Sequence, residues 1–403
     1  MKIIYHHRTR STDAQRIHIL EIVHAFQSLK HDVEIVSLVP TEKARQDAKR
    51  DAGNPLWQRM ARRIPFLYEM VQIGYNVVGV PMLLWKVARA KADFIYERYS
   101  LFNFTGVLVA KLCGVPIILE VNSPFAMEQG RDKDIRLERF AGWTERVICN
   151  LATRVIVVST SLAKIMQASG VHPEKIQVMT NGVRLDHFQA QPQSMELRKS
   201  LGLGVHEKVI GFVGWFRKWH GLELLLDAFR VAGFKRGEVR LMLIGDGQAM
   251  QDLQQLVRDY ELTDSVFFTG PLPHDKVPEY LDLIDIAVQP AANEYCCPMK
   301  ILEYMALGKA IVAPRQENIR ELLREGDEAQ YFAPGDANGL AEALRALVND
   351  PGKATDMGRR AREAVSRRGY LWTANAERVL EMVEQRDRLH TAVTGNLRQN
   401  NAK

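Results

Sequence analysis

Apolar positions in this 403-residue chain follow two rhythms. Short runs rich in Val and Ile occur at residues 3–6, 33–39, 94–97, 116–120, 154–159 and 175–179, and these predict strands. Longer stretches with helical spacing, such as 14–29, 105–113 and 137–152, separate most of them. After about residue 185 the alternation restarts, with strands expected at 209–214, 240–245, 265–269, 284–288, 310–313 and 330–332. Nearly continuous apolar strands alternating with helices predict parallel sheets covered on both faces. Two such series predict an α/β chain built from two doubly wound parallel-sheet domains. The polar, Gln-rich stretch 185–201 has no apolar period and reads as the interdomain linker. Domains are therefore expected at 1–184 and 201–366, with a linker at 185–200. A last helix at 371–389 and a frayed polar tail at 391–403 should follow.

Composition narrows the class. A hydrophobic share of 46% with 25% charged residues is globular, not disordered. The net charge of +6 favours nucleic acid, anionic lipid or phosphorylated substrates. No zinc-finger spacing, aromatic-rich RNA-binding signature or long Lys/Arg block occurs, so no nucleic-acid partner is expected. The four cysteines, Cys113, Cys149, Cys296 and Cys297, include no C-x-x-C, which fits a reducing cytoplasm and argues against a zinc site or disulfide framework. The apolar run after Met1 is too short for a signal peptide and reads as a first strand. Residues 41–66 carry Lys43, Arg45, Lys49, Arg50, Arg59, Arg62 and Arg63 against three acids, and an apolar stretch, 64–87, follows. Glu69, Gln72, Asn76 and Pro81 interrupt that stretch, so it does not read as a spanning helix. It suits a helix lying on an anionic membrane surface, or a helical pair packed on the first domain with a solvated basic face.

The chemistry is concentrated in the second half. Residues 298–313 read as a short helix opened by Pro298, a Gly308-Lys309 stop, and a buried strand. Ile301, Leu302 and Met305 form its apolar stripe, and Glu303 falls off it. Glu303 could meet a polar ligand at a helix N-terminus that also suits phosphate, or could simply be solvated. Upstream, Gly211-Phe212-Val213-Gly214-Trp215-Phe216-Arg217-Lys218-Trp219-His220-Gly221 is a strand end followed by a basic loop. Arg217 can fork onto phosphate oxygens and Lys218 adds a mobile charge. The turn Gly245-Asp246-Gly247 and the bend Gly270-Pro271-Leu272 each end a strand and are weak signals alone. In the first half, Tyr96-Glu97-Arg98-Tyr99 and Glu120-Val121-Asn122 place polar groups at strand ends.

Taken in order, F-V-G, the basic loop, L-I-G-D-G, F-F-T-G, D-I-A-V-Q-P and P-M-K-I-L-E-Y-M-A-L-G-K-A-I-V-A resemble glycosyltransferase family 4, which has the GT-B fold of two Rossmann-like domains around an interdomain cleft. The segment Thr180-Asn181-Gly182-Val183 is similar to that family's N-G-V junction, and Cys297-Pro298-Met299-Lys300-Ile301-Leu302-Glu303 resembles its S-P-x-K-L-x-E subgroup. The resemblance covers nearly the whole chain and is stronger in the second half.

It implies a retaining, metal-independent transferase moving a sugar from a nucleotide-diphosphate sugar to an acceptor hydroxyl, with no cofactor. By the same resemblance, Glu303 contacts the ribose, and Arg217 and Lys218 hold the diphosphate. Gly214, Gly245, Asp246, Gly247, Pro271 and Leu272 surround the nucleotide, while Pro298, Met299, Lys300 and Ile301 offer groups to the diphosphate and sugar. The pattern departs at Tyr295, where the family's first Glu stands, with Glu294 one residue out of register. Trp215 and His220 replace the usual Arg and Lys, and Arg8–Asp13 replaces a Gly-rich loop. Lys300 is an alternative phosphate cation. Glu120 and Asn122 are the acceptor-side candidates in the first domain. The triplet Asp132-Lys133-Asp134 lacks the apolar strand that a metal-binding Asp-x-Asp follows and reads as a helix entry. The last helix should cross back to the first domain, pinned by Trp372. A glycan or lipid-linked acceptor, polysaccharide synthesis and a cytoplasmic location on the inner face of the plasma membrane are the matching expectations. A nucleotide-sugar epimerase and a catalytically silent nucleotide-sugar-binding or scaffold subunit are the alternatives.

Overall fold

The computed structural model of the protein describes residues 1–9, 14–37, 65–131, 135–189 and 195–400. The basic stretch 41–63, residues 10–13 and the triplet 132–134 lie outside the described residues. The chain forms two compact units, Met1–Met179 with Thr373–Lys403, and Thr180–Trp372.

The first unit carries β1 (Lys2–His6), β2 (Asp32–Val36), β3 (Phe94–Arg98), β4 (Ile117–Val121), β5 (Arg154–Val157) and β6 (Ile176–Val178). They pair in parallel in the order β2-β1-β3-β4-β5-β6. Every position of β3 and β4 is buried. Two-sided cover by helices explains why these strands read as continuous apolar runs with no period of two.

The second unit carries β7 (Lys208–Val213), β8 (Val239–Ile244), β9 (Val266–Gly270), β10 (Ile286–Val288), β11 (Ala310–Pro314) and β12 (Gln330–Phe332). Their order is β12-β11-β10-β7-β8-β9, again all parallel. The order reverses between β7 and β10. That is the place where open α/β sheets present a crevice beyond the carboxyl ends of their strands. Phe212, Leu225, Leu226, Leu243 and Val312 belong to the core that fixes this sheet.

The structure differs from the sequence reading at two joints. Residues 185–200 are not a bare linker: the change of unit falls at Met179–Thr180, and Met195–Ser200 is a helix. Its Arg198 is buried and donates from Nε and Nη2 to the Gly204 carbonyl at 3.0 and 2.9 Å. One buried guanidinium anchors this helix in place of an apolar stripe, so periodicity missed it. At the other end, the helix Pro351–Arg368 closes at Gly369, and the last helix runs from Trp372 to Asn400. The start thus falls one residue after the expected 371, and the backbone of 391–400, expected as a tail, is helical.

The Asn181-Gly182-Val183 segment packs against the residues leading into that last helix. Val183 pairs in parallel with Leu371, and its N–H donates to the Tyr370 carbonyl at 3.0 Å. A Cβ on Gly182 would sit 2.4 Å from the backbone nitrogen of Trp372. Gly182→Ala should therefore cost about 1–3 kcal/mol of stability through overpacking, measured as a lowered urea midpoint with an unchanged slope.

Candidate active site

The helix Met299–Ala306 opens on Pro298 with no side-chain cap. Its first N–H groups thus lack the satisfaction an Asp or Ser cap would give. At the far end, Gly308 N–H donates to Met305 O at 2.9 Å and Lys309 N–H to Tyr304 O at 3.0 Å. This pair of bonds is a Schellman closure, which fixes the helix length and places β11 directly after it. Tyr304 is fully buried, and its hydroxyl accepts from Val213 N–H at 3.0 Å, tying the helix to the end of β7.

Lys300 lies on this helix, one turn before Glu303. Its Nζ stands 4.2 Å from the centroid of the Phe212 ring and 3.3 Å from His220 Nε2. A Cβ placed on Gly214 would come within 2.9 Å of the same Nζ. His220 Nδ1 lies 2.5 Å from the Trp215 carbonyl. A carbonyl only accepts, so Nδ1 carries the proton and Nε2 presents a lone pair to Lys300. Burial, reinforced by the Lys300 charge, pushes the His220 pKa down to about 2, which keeps the ring neutral. Burial also lowers the Lys300 ammonium to about 7, with Cys296 and Glu303 opposing that shift. The site therefore holds one cation whose charge is only weakly supported by its surroundings. An incoming anion would supply the missing support.

The structure sorts the remaining predicted residues. Gly214 N–H donates to Ile244 O at 3.0 Å, and Gly245 N–H to Gly270 O at 3.2 Å. Asp246 Oδ1 accepts from Gly247 N–H at 2.7 Å. These amides are occupied within the turn, so the glycines act by close packing. At Gly245, φ is +130° and a Cβ would fall 2.1 Å from Gly214 O. The Gly245–Gly270 link also carries Pro271 and Leu272 alongside this turn. Arg217 and Lys218 are exposed on the loop after β7. Arg217 is close enough to His220 to help depress its pKa, but the cation in contact with the loop is Lys300.

Two expectations are corrected. Ile301 is fully buried and its N–H donates to Pro298 O at 3.1 Å, which leaves neither its side chain nor its amide for a ligand. Tyr295 is buried too, with its hydroxyl 3.1 Å from Asn293 Nδ2, while Glu294 is exposed. The position aligned with the family's first Glu thus packs inward.

Three positioning residues were missed because their role depends on distant carbonyls. Asn181 Nδ2 donates to Cys297 O at 2.8 Å and its N–H approaches Cys297 Sγ at 3.3 Å. Asn318 Nδ2 donates to Asn293 O at 3.0 Å and to Cys296 O at 2.7 Å. Gln316 Nε2 donates to Ala292 O at 3.1 Å. Together they hold the loop between β10 and the Met299 helix. Asn181 was visible in sequence only as part of the N-G-V resemblance, and Gln316 and Asn318 only as amide side chains shortly after a predicted strand.

In the first unit, Glu120 and Asn122 do sit at the end of β4, but Glu120 is 2% exposed and its oxygens are engaged. Arg98 donates at 2.9 Å, Tyr96 Oη at 2.8 Å, and Asn122 Nδ2 also donates. His18 Nε2 lies 3.4 Å away. Glu120 is therefore the centre of a buried polar cluster and is not presented as a free carboxylate. At the neighbouring switch in strand order, between β1 and β3, His6 pairs with Glu97 and bonds to Tyr75 Oη at 3.1 Å. Among the described residues, no group of three or more His, Cys, Asp or Glu is placed to hold a metal ion.

Burial alone would raise the Glu120 pKa, but His18, Arg98, Asn122 and Tyr96 together hold it below the usual carboxylate value. Its contribution to stability is thus present above the unfolded value of about 4.3 and lost as pH falls through the lower folded value. Glu120→Ala should cost about 3–5 kcal/mol in denaturant titration at neutral pH, because Arg98 is left buried and unpaired.

Comparison with known proteins gives one consistent result. The family profile for Glycosyl transferases group 1 matches residues 193–364, and that for Glycosyltransferase Family 4 matches residues 15–187. Sulfoquinovosyl transferase SQD2 of Arabidopsis thaliana is 26% identical over 74% of this chain, and the match spans 58% of the plant protein. D-inositol 3-phosphate glycosyltransferase of Thermobispora bispora is 26% identical over 75% of this chain and 72% of its own length. Among solved structures, Anabaena HepE with UDP-glucose superposes with a TM-score of 0.69 at 18% identity, covering 96% of this chain and all of the other. Sucrose-phosphate synthase of Thermosynechococcus elongatus gives 0.72 at 19% identity, covering 97% and 100%.

Proposed function

Because this chain belongs to the glycosyltransferases of family 4, we propose that it is a retaining, metal-independent enzyme that moves a sugar from a nucleoside-diphosphate sugar to a hydroxyl of a glycan or lipid-linked acceptor. The setting proposed is cell-surface polysaccharide synthesis at the cytoplasmic face of a membrane. The observation that carries this reading is the position of Lys300 beyond the end of β7, at the reversal of strand order, with His220 accepting from its Nζ. HepE, solved with UDP-glucose, and the sugar transferases among the relatives support a sugar-nucleotide donor.

The first unit is assigned to the acceptor and the second to the donor. In the second, the Lys300 ammonium and the uncapped start of the Met299 helix hold the diphosphate, and Glu303 accepts from the ribose hydroxyls. Arg217 and Lys218 add charge from the loop. The sugar–phosphate bond breaks while the acceptor oxygen bonds to the same face of the anomeric carbon. The departing diphosphate takes the acceptor proton. The protein contributes position and pre-arranged positive charge, and no cofactor is needed.

Screening nucleotide-sugars for thermal stabilisation should identify the donor, since a bound donor raises the unfolding temperature by mass action. Lys300→Met should lower kcat/KM by roughly 10²–10³ for that donor. If the wild type binds the donor but transfers its sugar to no glycan or lipid-linked hydroxyl, the chain is a silent binding subunit and the transferase reading fails.

Titration should show the same cation. Diphosphate favours the ammonium form, so UDP affinity should fall above pH about 7, by up to about tenfold per pH unit for one proton. Isothermal titration between pH 7 and 9 in buffers of different ionisation enthalpy should detect proton uptake in the wild type and none in Lys300→Met.

A further inference from the structure

Among the described residues of the second unit, the large apolar side chains left exposed are Met195, Val205, Trp215 and Trp219. Two of these four are indoles, 45 and 41% exposed, and both stand on the loop after β7 that bounds the Lys300 site. A scattered exposed Met or Val needs no explanation, but two indoles on one loop of a ligand crevice do. The loop holds them firmly. Phe216 is fully buried, its N–H donates to Asp246 O at 2.7 Å, and its carbonyl accepts from Ala249 N–H at 3.1 Å. His220 is buried, with one ring nitrogen on the Trp215 carbonyl and the other on Lys300. Phe216 and His220 thus pin the loop from inside, and Trp215 and Trp219 are left to solvent without a role in the core.

Their place relative to the cation is set by two links. The Trp219 ring centroid lies 3.9 Å from that of His220, with the planes tilted by 55°. His220 Nε2 is 3.3 Å from Lys300 Nζ, so a single imidazole separates Trp219 from the ammonium. The same turn is bonded to the loop that enters the Met299 helix. Ala291 N–H donates to His220 O at 3.2 Å, and a Cβ on Gly221 would stand 2.9 Å from Ala291 Cβ. Trp219 is therefore held on the entry side of that helix, whereas Glu303 lies one turn further along it than Lys300. A nucleoside-diphosphate sugar carries its diphosphate in the middle. With the ribose at Glu303 and the diphosphate at Lys300, the sugar is the part that continues toward the helix entry and Trp219.

Resting on the reading of the second unit as the donor unit, we propose that Trp219 is the platform on which the transferred sugar stacks, with Trp215 as the loop's second indole. Lys300 then reads the diphosphate and this loop reads the sugar. The chemistry fits a neutral hexose. One face of a pyranose presents C–H bonds whose hydrogens carry partial positive charge, and the face of an indole is the negative pole of its quadrupole. The substitutions in the loop point the same way. Where the resembled pattern has Arg and Lys, residues 215 and 220 are an indole and a neutral imidazole. These two positions have exchanged charge for aromatic surface, which suits the uncharged end of the donor. Because Phe216 and His220 fix the loop before a ligand arrives, the indole is already in place and little ordering is needed on binding.

The test is isothermal titration of the full chain with UDP against UDP-glucose, UDP-galactose and UDP-N-acetylglucosamine, and with GDP against GDP-mannose. At least one sugar nucleotide should bind the wild type about tenfold more tightly than its own nucleoside diphosphate. Trp219→Ala should remove most of that advantage and leave the affinity for the bare diphosphate unchanged. Trp219→Phe, which keeps an aromatic face, should restore part of it. Indole emission should change when that sugar nucleotide is added beyond any change with the diphosphate alone, and this extra change should vanish in Trp219→Phe. An unchanged diphosphate affinity shows that His220 and Lys300 have kept their places, so the loss is not a collapse of the site. The proposal is overturned if no sugar nucleotide outbinds its diphosphate, or if Trp219→Ala weakens both ligands equally. It is equally overturned if Trp219→Ala binds both as the wild type does and only transfer to an acceptor suffers. If the wild type binds none of these nucleotides, the donor assignment of the second unit itself fails, and the sugar platform with it.

Discussion

A single ammonium group that is costly to bury organises the second unit's site. Lys300 is half-buried, and what its ammonium gains there is modest: the face of Phe212, the lone pair of a neutral histidine, and the field of Glu303 one turn away. Burying a cation without a full partner is unfavourable. The surrounding residues accept that cost in a consistent way. The His220 proton is locked on Nδ1 by the Trp215 carbonyl, so the ring can accept from Lys300 and does not add a second positive charge. Gly214 offers no side chain where Nζ needs to stand. Tyr304 then fixes the helix to β7, which sets the position of Lys300 relative to all of these.

The loop that precedes this helix is held by a different kind of force. It has no apolar stripe of its own, and its carbonyls are captured by amide side chains from elsewhere: Asn181, Asn318 and Gln316. A loop carrying chemistry is useful only if a rigid scaffold determines its path. Here that determination comes from hydrogen bonds to its backbone, which tolerate changes in the loop's own side chains. Tyr295 and Cys297 stand in this loop where the resembled pattern has other residues. Both are packed inward, and burial drives the Cys297 thiol up to about 12, so it is inert as a nucleophile.

The first unit uses its polar residues in the opposite sense. Glu120, Arg98, Tyr96 and His18 satisfy one another inside the protein, and His6 with Glu97 does so at the adjoining strand ends. Their role at these positions is to close the carboxyl ends of β1, β3 and β4 with paired charges.

Much of this architecture was legible in the order of residues. Central strands such as β3 and β4 are buried along their whole length and so left continuous apolar runs; the partly exposed β2 and β6 were still marked by short Val/Ile runs, and Gly308 with Lys309 marked the end of the Met299 helix because a Schellman closure needs that local chemistry. The short helix at Met195–Ser200 was not legible, since a single guanidinium bonded to carbonyls has no period. Arg217 and Lys218 stood out because charge in a loop is visible in sequence. Lys300 became the central cation only when folding brought residue 300 against residues 212, 214 and 220. Likewise, Glu120 looked available from its place at a strand end, and only the packing of Arg98, Tyr96, Asn122 and His18 around it shows that it is occupied. Sequence determines what is local or periodic. Tertiary structure decides which polar group is left facing a ligand, because that depends on partners supplied by segments far apart in the chain.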